Sequence, residues 1–136
     1  ISWDNNIIRN RNNGKYSSYD LTNCNDLITP LTVILALSNG GEISGISHTV
    51  FKESNRIKKT IELMDCFGLK ATLSDQKILV EGGQKPNSPE SSINCHNDHR
   101  IFMSAAILMT KFGGDLIGKG LHSIADSEFL SRLGIE

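Results

Sequence analysis

Three short clusters in this sequence carry ionisable residues of the kind that bind and turn over small anions. They are Asp26, the run Lys52-Glu53-Ser54-Asn55-Arg56, and Asp98-His99-Arg100. Each stands directly before or within the start of an apolar-rich stretch with helical spacing. Unpaired backbone amides and the helix dipole both favour negative charge at such a start. Carboxylates supply proton transfer and guanidinium groups supply two-pronged anion binding. The pattern therefore points to a small anionic substrate.

The elements that must carry these clusters can be read from punctuation and periodicity. Asn25-Asp26 opens an apolar run containing Ile34-Leu35, which closes at Gly40-Gly41 and is followed by Ile43 and Gly45. Asn97-Asp98 opens a second run containing Ile107-Leu108, which closes at Gly113-Gly114 and is followed by Leu116 and Gly118. The two segments match at a spacing of 72 residues with one insertion. A polar cap, about a dozen apolar-rich residues and a glycine stop are the grammar of a helix, here with a short strand after it. The match marks an internal repeat.

Between the copies, residues 53–67 place Ile57, Ile61, Met64 and Phe67 on one helical face, with Gly68 as the stop. Residues 70–73 and 78–81 flank the polar turn 74–77 and read as a hairpin. The order over residues 19–83 is thus βαβαββ, a full unit. Residues 93–136 repeat its first four elements as a partial second unit, with residues 127–133 as the last helix. Residues 1–18 offer a further hairpin, around Asp4-Asn5-Asn6, that would complete a neighbouring unit. The loop 84–94, rich in proline and serine, is expected to be irregular and mobile.

Composition excludes several classes of function. The 14 basic and 15 acidic residues give a net charge of −1 and are mixed along the chain, so no basic stripe suits nucleic acid. The longest apolar run is far below the roughly 20 residues of a membrane span, and the N-terminus has no basic-then-apolar leader. Cys24, Cys66 and Cys95 form no metal-binding or disulfide pattern and are expected to be buried thiols in a reducing, cytoplasmic setting. No metal or organic cofactor is implied. The first residue is Ile1, and a start without methionine fits a piece of a longer protein.

Two of the clusters are motifs. Lys52-Glu53-Ser54-Asn55-Arg56 resembles the lysine-glutamate-x-x-arginine signature of the EPSP synthase family, and Asn97-Asp98-His99-Arg100 resembles its second signature. Asn25-Asp26-Leu27, followed by Pro30, is similar to the segment carrying that family's catalytic aspartate. The resemblance runs from about Tyr19 to the C-terminus. It implies an α/β (α+β) enolpyruvyl transferase fold of repeated βαβαββ units, of which this chain is the C-terminal portion of the second domain. It also implies phosphoenolpyruvate and shikimate 3-phosphate as substrates, a missing N-terminal domain as partner, and no turnover by the chain alone.

The same resemblance assigns roles. Asp26 matches the base for the attacking hydroxyl, and Glu53 matches the group that moves a proton at the methylene carbon. Whether Glu53 acts as acid or base stays open, because cations at Lys52 and Arg56 favour its charged form and burial opposes it. Arg56, Arg100 and His99 match residues around phosphoenolpyruvate. Lys52, and His48 in place of a family asparagine, match contacts to the shikimate ring. The chain departs from the family at 124–127, where Ile124-Ala125-Asp126-Ser127 stands in place of a lysine motif. Lys119 lies upstream, but an ungapped match on Phe129 and Leu133 does not bring it into register. A UDP-N-acetylglucosamine enolpyruvyl transferase, an RNA 3'-phosphate cyclase and a non-catalytic repeat domain are the alternative readings.

Overall fold

The computed structural model describes residues 2–4, 7–9, 15–46 and 54–135, with 2–4, 7–9, 54 and 55 described as backbone alone. His48, Lys52 and Glu53 therefore lie outside the described residues. Two short strands, β1 (Ser2–Asp4) and β2 (Ile7–Arg9), pair antiparallel where the first hairpin is expected. The main unit follows as β3 (Ser17–Asp20), α1 (Ile28–Leu37), β4 (Gly40–Ser44), α2 (Ser54–Cys66), β5 (Thr72–Ser74) and β6 (Lys77–Glu81). A second series gives β7 (Ile93–Asn94), α3 (His99–Phe112), β8 (Leu116–Ile117) and the single turn α4 (Phe129–Arg132).

The four-stranded sheet has the order β3-β4-β6-β5, with β3 parallel to β4 and the other pairs antiparallel. Strand β7 pairs parallel with β8, as β3 does with β4. The sequence repeat is thus a repeat of βαβ structure, and equivalent positions share their environment. Leu35 and Leu108 are 3% and 2% exposed, whereas Ile34 and Ile107 are 58% and 51% exposed.

Helix α1 reads Ile-Thr-Pro-Leu-Thr-Val-Ile-Leu-Ala-Leu, apolar nearly all round, so it must be covered on several sides. It packs on β4 and β6 and against both α2 and α3. Its buried Thr32 hydroxyl donates to the Ile28 carbonyl, and Thr29 shares a 2.8 Å hydrogen bond with Thr60 of α2. Both threonines of that pair are fully buried, so each satisfies the other's polar group. Helix α2 buries Ile57, Leu63, Met64 and Phe67, with Ile61 half-buried at the edge of the core. It ends in a Schellman motif: the Leu69 amide donates to the Met64 carbonyl, the Gly68 amide donates to the Asp65 carbonyl, and Gly68 takes φ 68°. Helix α3 faces the core with Ile101, Phe102, Ala105 and Leu108, and its small residues Ser104, Ala105 and Ala106 are also buried.

Three expectations change. Gly40 and Gly41 do not cap α1 but open β4. A Cβ on Gly41 would strike the Ser17 carbonyl of β3, and one on Gly40, at φ 73°, would come within 2.5 Å of the Val80 carbonyl of β6. Their reason is the close approach of two neighbouring strands. The hairpin turn is tighter than the four residues 74–77, because Ser74 and Lys77 are paired. Asp75 and Gln76 alone make the reversal, at φ 48° and 60°, the two left-handed positions of a type I′ turn. The third change concerns the thiols: Cys95 is buried, but Cys24 and Cys66 are exposed.

The loop is irregular over residues 84–92, with several ties to the units on either side, while Ile93 and Asn94, expected to belong to it, form β7. The Gln84 side chain bonds both backbone groups of Lys70, the Asn87 amide donates to the Phe67 carbonyl, and the Ser88 hydroxyl donates to the Phe112 carbonyl. Burial pushes the Cys95 thiol up to about 11, with Asp98 adding to the effect. We therefore expect a thiol-reactive disulfide reagent to titrate two cysteines in the folded chain and the third only after denaturation. Fast reaction of all three would contradict the burial of Cys95.

Candidate anion site at three helix starts

Helices α1, α2 and α3 pack pairwise, and their first turns meet. Asp26 lies in a 3-10 turn, Asn25–Leu27, directly before α1. Arg56 is the third residue of α2, and Arg100 is the second residue of α3, with His99 opening that helix beside it. One oxygen of Asp26, Oδ1, stands 2.7 Å from Nη2 of Arg100 and 3.6 Å from Nη1 of Arg56. Three residues that are 30 and 44 positions apart in sequence thus share one carboxylate oxygen.

The four charged groups differ in their freedom. The Arg56 side chain is 8% exposed and that of Asp98 11%, whereas Asp26 is 69% exposed. Asp98 accepts from Nε of Arg56 through Oδ2 at 3.3 Å and from the Arg100 amide through Oδ1 at 2.9 Å. It is the N-cap of α3, at extended backbone angles. Asp26 caps no helix: no side-chain cap bond forms at the 3-10 turn or at α1. Its carboxylate faces the two guanidinium groups and is the most exposed member of the set.

Burial is the largest influence on the Asp98 carboxyl and pushes it up. The Arg100 amide, the charge and hydrogen bond of Arg56, and the Ile101 amide together outweigh burial and hold the carboxyl below its ordinary 3.8. Asp98 reaches this position through a turn that runs from Cys95 to Asp98. The Asp98 amide donates to the Cys95 carbonyl, and His96 and Asn97 between them sit at φ 48° and 59°. Helix α2 braces that turn: Lys59 donates to the His96 carbonyl at 3.3 Å, and Glu62 lies 3.3 Å from Nε2 of His96.

The sequence places Asp98 in a cluster and a motif without assigning it a role, and it does not point to His96 at all. The signal for Asp98 was present, since an aspartate two residues ahead of an arginine at a helix start can reach both its amide and a neighbouring cation. A hollow of about 300 Å³ lies at the far end of α2, lined by Asp65, Cys66, Asn87, Ser88, Pro89 and Glu90 among others, roughly 15 Å along the helix from Arg56. Among the described residues no His, Cys, Asp and Glu group could hold a metal, and no helix is long and apolar enough to cross a membrane.

Repeated βαβ elements with guanidinium groups gathered at their helix starts define an α/β protein with a candidate anion site. The sequence profile of EPSP synthase (3-phosphoshikimate 1-carboxyvinyltransferase) matches residues 1–127, and the chain belongs to that family. A 3-phosphoshikimate 1-carboxyvinyltransferase of Dehalococcoides mccartyi is 34% identical over 114 residues, which are 83% of this chain and 25% of the relative. One from Methanobrevibacter smithii is 26% identical over 133 residues, 95% of this chain and 30% of the relative. The EPSP synthase structure from Acinetobacter baumannii superposes with a TM-score of 0.51 at 25% identity, over 76% of this chain and 26% of that one. The chain therefore spans about a quarter of the length of the proteins it matches.

Two outcomes are expected. Because the folded Asp98 value is depressed, its contribution to stability is complete above the unfolded value near 3.9 and is lost as pH falls through the lower folded value. An acid titration followed by circular dichroism should show Asp98→Asn less stable at neutral pH and losing less between about pH 5 and pH 2; equal losses would contradict the pairing. Removing the competing anion by Asp26→Asn should raise the affinity for inorganic phosphate by about two- to fivefold, as weak exposed ion pairs allow. Weaker phosphate binding would show that Asp26 does not occupy the anion position.

Proposed function

We propose that this chain supplies part of the active site of a 3-phosphoshikimate 1-carboxyvinyltransferase, which joins the enolpyruvyl group of phosphoenolpyruvate to the 5-hydroxyl of shikimate 3-phosphate and releases phosphate. The observation that carries the reading is the meeting of Asp26, Arg56 and Arg100 at one oxygen atom. Arg56 and Arg100 grip phosphoenolpyruvate, each able to hold a carboxylate or phosphate through two parallel hydrogen bonds. The incoming anion replaces the Asp26 carboxylate on these groups. Asp26 then accepts the proton of the attacking hydroxyl as that oxygen bonds to the enol carbon.

The tetrahedral adduct collapses by loss of phosphate, and Glu53 moves the proton at the methylene carbon in the two halves of the reaction. His99 lines the phosphoenolpyruvate side, while Lys52 and His48 contact the shikimate ring. Catalysis requires the residues that the relatives carry in their remaining length, an N-terminal domain that works as this chain's partner, so the chain alone is inactive. The working enzyme is cytoplasmic.

A fusion that takes its missing length from the Dehalococcoides mccartyi relative tests this reading. We expect the fusion to form the enolpyruvyl product, and Arg100→Lys to raise the Michaelis constant for phosphoenolpyruvate at least about tenfold, since a charge-assisted hydrogen bond contributes about 1.5 to 3 kcal/mol. A folded fusion that gives no heat in titration with either substrate, alone or together, would overturn the assignment. An unchanged constant would remove Arg100 from the site.

A further inference from the structure

We infer that Asp98 is a positioning residue that sets Arg56 and Arg100 in a fixed mutual arrangement, a role that rests on reading these arginines as the anion clamp. A helix cap needs one acceptor oxygen for the amide two residues on. Asp98 spends Oδ1 on that, at the Arg100 amide, and places Oδ2 on Nε of Arg56. A bond at Nε fixes the plane of a guanidinium, and Nη1 of Arg56, on the edge away from the Nε–H, faces Asp26. One nearly buried carboxylate therefore aligns the side chain of one arginine and the backbone that carries the other.

The carboxylate can serve as a reference because it is itself held. His96 and Asn97 reverse the chain in left-handed conformations directly before it, and Arg56, Lys59 and Glu62 of α2 engage Asp98, the His96 carbonyl and the His96 ring in turn. These α2 residues are spaced by three, which keeps them along one side of the helix. The second signature and α2 are thereby fastened at three points, with Asp98 nearest the anion position.

Asp98→Ser separates positioning from capping, because serine caps a helix as well as aspartate but cannot reach Arg56. In the 136-residue chain, Asp98→Ser should keep the helix content of the parent chain but melt lower, because the buried Arg56 loses a partner, and should bind phosphoenolpyruvate about five- to tenfold more weakly, the loss expected when one charge-assisted contact is misaligned. In an Arg56→Gln background the same change should have less than about a twofold effect, since coupled residues are not additive. The NMR signal of the Arg56 Nε–H, protected from solvent exchange in the parent chain, should lose its protection.

An affinity within about twofold of the parent, or an unaltered Nε–H signal, overturns the positioning role. If a fusion carrying the missing length of the Dehalococcoides mccartyi relative also binds no phosphoenolpyruvate, the proposed function loses its support. The Nε–H signal then decides the role of Asp98 alone.

Discussion

A guanidinium carried out of water is the constraint around which this structure is arranged. Arg56 is buried in the first turn of α2, where an unpaired charge would be too costly to keep. Asp98 meets it from one side and Asp26 from the other. Satisfying Arg56 therefore draws the start of α3 and the turn before α1 to the same place. The charge cluster and the packing of the three helices thus answer the same electrostatic requirement.

The asymmetry of the two aspartates gives the cluster its chemistry. Asp98 is sunk and carries helix amides as well as a cation, so it belongs to the frame. Asp26 is exposed, caps nothing, and touches the clamp with one oxygen. The cluster thus divides its two acids, one fixed in the frame and one exposed at its surface.

Much of this was legible in the sequence because it rests on local chemistry. The period of Ile57, Met64 and Phe67, the Gly68 stop and the repeat from Asn25 to Asn97 are consequences of helix geometry that a single chain displays. The environments of Ile34 and Ile107 show the repeat extending to exposure. What failed to show depends on distant neighbours. Gly40 and Gly41 looked like a helix stop, since nothing in the sequence announces that the Ser17 and Val80 carbonyls press on them. Cys24 and Cys66 are exposed because each follows from where a helix begins or ends against the rest of the unit. At the site, residue types at the helix starts pointed to Asp26, Arg56 and Arg100, while the twofold use of Asp98 depends on how α2 packs against the start of α3.

The Thr29–Thr60 hydrogen bond bears on how such a unit can move. It lies one helical turn from the ion pair of Asp26 with Arg56, so α1 and α2 are keyed at two successive levels of the same seam. Sliding one helix past the other by a turn, about 5.4 Å, would unpair both keys and bury two hydroxyls without partners. Shear is thereby closed to this pair. A motion of this unit would carry α1 and α2 together.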